Sequence, residues 1–171
     1  VPASLAPRPP FHFERVEYDD PRAVALRARM DVEMGARYHT PGVPMDPAVQ
    51  AVLTLDPAEV SATVLVIADG AGAGVPIAHA ALRMLRGEWE VKRVIVDGGQ
   101  RGLGVGRALM NELERIVREE APGAPRMILQ TGDRQPDAVA LYTRLGYTPI
   151  PIYEPYIRAI PNSLCFELRL D

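Results

Sequence analysis

The chain has 171 residues, 47% hydrophobic and 24% charged, with a formal net charge of -3. That size suits one domain with a substantial core, and the acidic balance argues against nucleic acid as the main ligand, because such binding needs a strong basic patch. No apolar run approaches the ~20 residues of a membrane span, no charged start with an apolar stretch reads as a signal peptide, and the single Cys165 excludes an internal disulfide or a multi-cysteine metal site; a reducing cytoplasm, no membrane and no metal are the expectation.

Residues 1–10 (VPASLAPRPP) read as a proline-rich arm ahead of a single domain over 11–171. Residues 11–18 alternate well enough for a first strand. Asp20-Pro21 then supplies an N-cap and a proline at the first helical position. Ala23, Leu26, Met30 and Met34 give that helix one apolar face, and it should end near Tyr38. Asp46-Pro47 and Asp56-Pro57 repeat the cap-plus-proline signal, so a short helix is expected after each. Residues 63–68 (TVLVIA) are a strand buried on both faces. The glycine-rich run 69–74 turns the chain into a returning strand over 75–84, and Arg86-Gly87 turns it again, making a three-stranded meander.

The third strand of that meander leads into the stretch with most chemical content, Glu90 to Gly106 (EVKRVIVDGGQRGLGVG). β-Branched residues Val91, Val94, Ile95 and Val96 end in Asp97-Gly98-Gly99 and a basic, glycine-rich turn, with a helix beginning at once. A glycine turn before a helix start makes an anion site, since unpaired N–H groups and the helix dipole both favour negative charge there. That helix carries Val105, Ala108, Leu109, Leu113, Ile116 and Val117 on one stripe. Residues 126–131 form a further strand, and Pro136 opens a helix whose face is Ala138, Leu141, Tyr142 and Leu145 and whose stop is Gly146. Strands at 147–152 and 164–170 flank a proline-rich loop (IYEPYIRAIPNS). The helix between the fourth and fifth strands requires that pair to be parallel, while the rest is largely antiparallel.

Spacing narrows the ligand of the glycine turn. A P-loop needs Gly-Lys-Ser/Thr, and Lys92, the chain's only lysine, precedes the turn. A G-x-G-x-x-G dinucleotide fingerprint finds Gly102 and Gly104 but Arg107 in the third place, and a meander stands where a βαβ unit is needed. A nucleotide-binding protein using the turn for a plain diphosphate stays open on spacing alone. The pattern [Q/R]-x-x-G-x-[G/A] is met by Arg101, Gly104 and Gly106, and a second segment, LQTGDRQPDAVALYTRLGY, places Ala138, Leu141, Tyr142, Gly146 and Tyr147 on A-x-x-L-Y-x-x-x-G-[FY]. With both segments, the chain resembles the GCN5-related N-acetyltransferase (GNAT) superfamily, and its Thr-Gly, Gln-Pro and PNSLCFELRL details resemble a bacterial subgroup of small enzymes within it.

The resemblance implies an α/β fold of α+β type: a mixed, mostly antiparallel, twisted sheet of six to seven strands with about four helices, splayed between the fourth and fifth strands. It also implies an acetyl-CoA-dependent N-acetyltransferase acting on a primary amine of a small molecule or peptide, by direct attack in a ternary complex, and a possible homodimer. Acetyl-CoA would lie with its diphosphate on the backbone of Arg101, Gly102, Leu103, Gly104, Val105 and Gly106, with Arg101 and Arg107 adding positive charge, and with its pantetheine along the backbone of Val94, Ile95 and Val96. Gln135 stands where relatives commonly carry an asparagine that bonds the pantetheine or the substrate side. Tyr142 is the implied acid for the departing thiolate, and Glu90 the base for the amine, with Glu88 as substitute and His79 as a further candidate. Met34, Tyr38, His39, Tyr153 and Tyr156 would wall the acceptor side. The alternative reading is a GNAT-fold module that binds acetyl-CoA as a sensor without turnover.

Overall fold

The computed structural model describes residues 10–70 and 73–171. The arm expected at 1–10 therefore lies outside the described residues except for Pro10, as do two positions of the 69–74 turn. In chain order the elements are β1 (Phe11–Val16), α1 (Pro21–Tyr38), α2 (Pro47–Leu53), a 3-10 turn (Pro57–Glu59), β2 (Val60–Ala68), β3 (Pro76–Leu85), β4 (Glu88–Val96), a 3-10 turn (Gly98–Gln100), α3 (Val105–Glu120), β5 (Arg126–Thr131), α4 (Pro136–Arg144), β6 (Thr148–Ile150), α5 (Tyr156–Ala159) and β7 (Leu164–Arg169).

The three Asp-Pro helix starts behave as their chemistry requires. Asp20, Asp46 and Asp56 each accept a hydrogen bond from the backbone N–H two residues on, with proline at the first position. After Asp56 only three residues remain before β2 pulls the chain straight, so a 3-10 turn forms where a helix was expected. Helix α5 is the converse: it sits in the proline-rich loop, where no periodic pattern marks four residues.

All seven strands make one sheet in the order β1-β2-β3-β4-β5-β7-β6. The β4–β5 pair is parallel and the other neighbours are antiparallel. The final strand thus inserts between β5 and β6. Alternation along the strands sorts side chains onto two faces. Val64, Val66, Ala78, Ala80, Leu82, Val91, Met127 and Leu129 turn to one face, where α3 supplies Val105, Leu109, Met110, Leu113, Ile116 and Val117, and Tyr142 of α4 joins them. Leu65, Ile67 and Ile95 turn to the other, under Ala23 and Leu26 of α1. That second face is covered by apolar residues only over part of its width. Farther along it carries His79, Arg83, Glu90 and Lys92, all buried.

Candidate active site

The sheet opens at one place. Parallel pairing joins Trp89, Glu90 and Val91 to Met127, Ile128 and Leu129 and then stops, although both strands continue. Beyond Val91 the β5-facing backbone of β4 has no ladder partner, which leaves a V-shaped gap able to take an extended ligand as an added strand. A bulge shapes its rim: Ala81 faces Lys92 but His79 faces Ile95, so β4 carries one extra residue there. Arg93 takes a left-handed φ of 56° in this bulge, a conformation that costs a residue with a Cβ about 1–2 kcal/mol. Two neighbours hold it. Its guanidinium pairs with Asp31 of α1 at 2.8 and 3.2 Å, and its carbonyl oxygen lies 2.8 Å from Nδ1 of His79.

That contact defines the state of His79. A carbonyl only accepts, so Nδ1 carries the proton; Nε2 lies 3.0 Å from the Arg27 guanidinium, which only donates, so Nε2 is the acceptor. Burial, with Arg27 and Arg93 nearby, pushes the imidazole down to about 4. With both nitrogens engaged, His79 props the bulge and has no lone pair left for an acceptor.

At the end of β4 the glycine turn delivers the chain to α3. Gly102 and Gly104 have φ of 78° and 82°, and a Cβ at either would meet nothing within 4 Å, so the concavity is open. Gly104 is the N-cap and offers no side chain, and the first intrahelical bond runs from Ala108 N–H to Gly104. The N–H groups of Val105, Gly106 and Arg107 are therefore without a partner in the helix, in the arrangement that suits a phosphate. Gly106 has another role: a Cβ there would lie 3.2 Å from Leu141 and 3.4 Å from Val96, so its absence lets α3 close on α4 and β4. Leu103 is half-buried and the Val105 side chain is core. Arg101 departs from its expected part as added charge. Its guanidinium is spent on Glu33 of α1 at 2.7 Å and on the Val96 carbonyl at 3.1 Å, and it holds the Glu33 carboxyl below its ordinary range. Arg107, exposed and without an ion pair among the described residues, is the remaining cation of the turn.

Across the gap, Tyr142 is buried against Tyr147 and Phe166, with ring centroids 5.8 and 6.2 Å away. Desolvation raises its phenol above the ordinary range, so it stays protonated at any working pH. Its hydroxyl makes no side-chain hydrogen bond among the described residues, which leaves it available to a ligand. Gln135 takes the N-cap position of α4, but its side chain does not cap. Tyr38, at the end of α1, accepts from the backbone N–H of Arg134 at 2.8 Å and ties α1 to the β5–α4 loop. The fit depends on Gly132, since a Cβ there would lie 2.2 Å from the Tyr38 hydroxyl.

Glu90 and Tyr142, the expected base and acid, stand on opposite faces of the sheet. Glu90 is 0% exposed and is no solvated strand-end charge. Arg83 Nε donates to its Oε2 at 2.5 Å, and the hydroxyls of Tyr153 and Tyr156 donate to its Oε1 at 2.9 and 2.8 Å. The Tyr156 hydroxyl also accepts from Lys92 Nζ at 2.7 Å and from Arg83 at 3.1 Å. Glu88, the substitute, is tied to Arg126 at 2.6 Å. Cys165 is buried beside this cluster, and burial raises its thiol, as a packing residue requires. Lys92 and Arg83 are the members that sequence reasoning passed over. The signals were there: Lys92 is the lone lysine among nineteen Lys and Arg residues and shares strand parity with Glu90, while Arg83 lies opposite Glu90 across the Arg86-Gly87 turn.

A mixed sheet that opens beside its parallel pair, with an uncapped helix start at the end of the opening, defines a fold that can admit a long anionic ligand between two strands. The sequence model of the Acetyltransferase (GNAT) family matches residues 30–147, and the chain belongs to that family. A curated relative from Azospirillum brasilense, named IAA acetyltransferase, is 36% identical over 84 residues, covering 49% of this chain and 53% of the relative; the match thus spans about half of that relative's length. Among solved structures, a candidate acyl-CoA N-acyltransferase from Klebsiella pneumoniae is similar at 25% identity, with a TM-score of 0.72 over 94% of this chain and 98% of that one. A candidate streptothricin acetyltransferase from Bacillus anthracis, solved with acetyl coenzyme A, is similar in fold, with a TM-score of 0.54 and 18% identity over 64% of this chain and 62% of that one.

Proposed function

We propose that this chain transfers the acetyl group of acetyl-CoA to a primary amine of a small molecule or peptide. The observation that carries the reading is the opening itself: β4–β5 pairing ends at Val91 and Leu129 while β4 runs on, through a held bulge, to an uncapped glycine N-cap. The site fits the cosubstrate. The first-turn N–H groups of α3 and the Arg107 guanidinium would hold the diphosphate, Gly102 and Gly104 leave room for it, and the β5-facing backbone groups of β4 in the stretch from Val94 to Val96 would receive the pantetheine amides. The Val96 carbonyl is available only if Arg101 releases it. Bound there, acetyl-CoA supplies an activated acyl thioester.

The chain's own residues then orient and move protons. Tyr142, protonated and without a side-chain partner, stands ready to donate to the leaving sulfur. The acceptor approaches on the α1 face, where Tyr153 is the partly exposed member of the Glu90 cluster. Glu90 is closed off from direct contact, so its part in removing the amine proton runs through the Tyr153 hydroxyl or through water. Gly104→Asp is the test of the cradle. Aspartate tolerates a positive φ and caps helices, so stability should change by no more than about 1 kcal/mol, while a carboxylate on the N–H groups should weaken acetyl-CoA binding by about tenfold or more. Unaltered acetyl-CoA affinity in a calorimetric titration would sink the assignment. Acetyl-CoA binding with no thiol release across a broad amine panel would favour the sensor reading instead.

A further inference from the structure

The buried charges of this protein do not balance. Arg27, Arg83 and Lys92 are buried, and Glu90 is the one buried carboxylate among the described residues, in a chain whose net charge is -3. All four lie on the face that α1 covers. Arg83 is answered by Glu90 at 2.5 Å and, from the exposed rim, by Glu59 at 3.6 Å. Arg27 donates to the Tyr18 carbonyl, contacts His79 and stacks on the Tyr18 ring, with Asp31 and Asp19 near enough to offset it. Lys92 has no ion pair among the described residues. Its Nζ donates to the Tyr156 hydroxyl and sits 4.8 Å from that ring's centroid. An ammonium has three N–H donors, so two are left without an acceptor in the described chain.

We infer that Lys92 receives the carboxylate of the acceptor, so the acceptors are amino acids and other amino-carboxylic compounds. The inference rests on the acetyl-transfer reading above and names its substrate class. Lys92 is the first residue of β4 past the last β4–β5 pair, on the face opposite Tyr142, so its stem leaves the sheet at the apex of the opening. A carboxylate bound there supplies the counter-ion that a buried ammonium lacks and anchors the acceptor's amine beside the gap. Burial pushes the Lys92 ammonium down to about 8, against the pull of Glu90 and with Arg83 and Arg93 adding to the fall, as a cation does when its partner is missing. A polyamine would bring more positive charge to a cluster in which Arg83 and Lys92 outnumber the one buried carboxylate, Glu90, and the like-charge repulsion selects against it.

Glutarate and glutaramide, matched in shape and different in charge, are titrated calorimetrically into the full chain loaded with CoA. In parallel, acetyl transfer is measured to L-glutamate and 4-aminobutyrate, to the amide of each, and to putrescine. Glutarate should bind about tenfold or more tightly than glutaramide, and transfer to the acids should exceed transfer to amides and putrescine by a similar factor. Lys92→Met, which keeps the stem and drops the charge, should lose about tenfold in glutarate affinity while acetyl-CoA affinity stays within about twofold. Equal binding of the two probes, or unaltered glutarate affinity in Lys92→Met, overturns the inference. Transfer confined to amides or putrescine also overturns it and leaves acetyl transfer standing. Lys92-dependent glutarate binding without transfer to any amine keeps the anion site and overturns the acetyl-transfer reading. Equal binding of the two probes by the wild-type chain overturns the inference even where Lys92→Met does not fold.

Discussion

Glu90→Gln keeps the outline of the side chain and removes its charge, which makes it the sharpest probe of the polar cluster. In the native protein this carboxylate is fully buried, with Arg83 on Oε2 and the Tyr153 and Tyr156 hydroxyls on Oε1. The amide strands Arg83, itself 5% exposed, without its buried counter-ion. It also turns an NH2 group toward partners that are there to donate. Breaking a buried pair by removing one partner costs about 3–5 kcal/mol, out of the roughly 5–15 kcal/mol that holds a domain folded. At about 2–4 °C per kcal/mol for a chain of this length, Tm should fall by about 6–20 °C. Calorimetry or circular dichroism at pH 7 on Glu90→Gln, Arg83→Met and the double variant measures it. The double variant should regain half or more of the loss, because the lone buried guanidinium is gone. A fall of about 2 °C or less in Glu90→Gln would refute the reasoning, since that is the scale of an exposed ion pair. Turnover separates two roles for the same residue: activity that returns with stability in the double variant makes Glu90 an anchor, and activity that stays lost assigns its carboxylate to proton removal.

Three further outcomes are expected. Tyr142→Phe should lower kcat by about 10²-fold or more with acetyl-CoA affinity within about twofold, and an unaltered rate at every pH would make the phenol a packing group only. His79 is neutral when folded, with its pKa near 4 against 6.5 for the ordinary group. Below pH 6.5 the unfolded chain binds the extra proton, so stability is full above that value and falls as the pH drops toward 4 by about 3 kcal/mol, at about 1.4 kcal/mol per unit. Urea unfolding of wild type and His79→Gln at several pH values checks this, and an equal slope in both would remove His79 as the cause. Gly132→Ala should displace the Tyr38 hydroxyl and lose its bond to Arg134 N–H, a cost of about 1–2 kcal/mol that should largely vanish when Gly132→Ala is made in a Tyr38→Ala background, where the hydroxyl and its bond are already gone.

Local pattern carried the elements that have a local cause. The Asp-Pro pairs capped what they promised to cap, the α3 stripe is the buried stripe, and the parallel pair follows from a helix between two strands. The opening past Val91 was implied by the resemblance and is present in the sheet. Helix α5 was missed because four residues cannot show a 3.6-residue period, and Asp56-Pro57 fell short because β2 begins too soon. For the site, the glycine turn and Tyr142 were legible as motifs. The partner of Arg101 was not, because Glu33 lies 68 positions earlier on another element.

Residue order alone determined the two motifs of this protein: glycines at 102, 104 and 106 before an apolar stripe, and an A-x-x-L-Y segment at the proper distance. Those are local requirements, because a backbone that approaches a phosphate needs glycine whatever surrounds it. Tertiary structure decided the polar cluster on the α1 face. Whether Glu90 is a solvated charge or the buried partner of Arg83, Tyr153 and Tyr156 depends on which strands pair and which loop folds over them. Pairings between groups 60 or more positions apart leave no period or spacing to read, and burial, which turns a lone lysine into an unanswered charge, is a property only of the assembled fold.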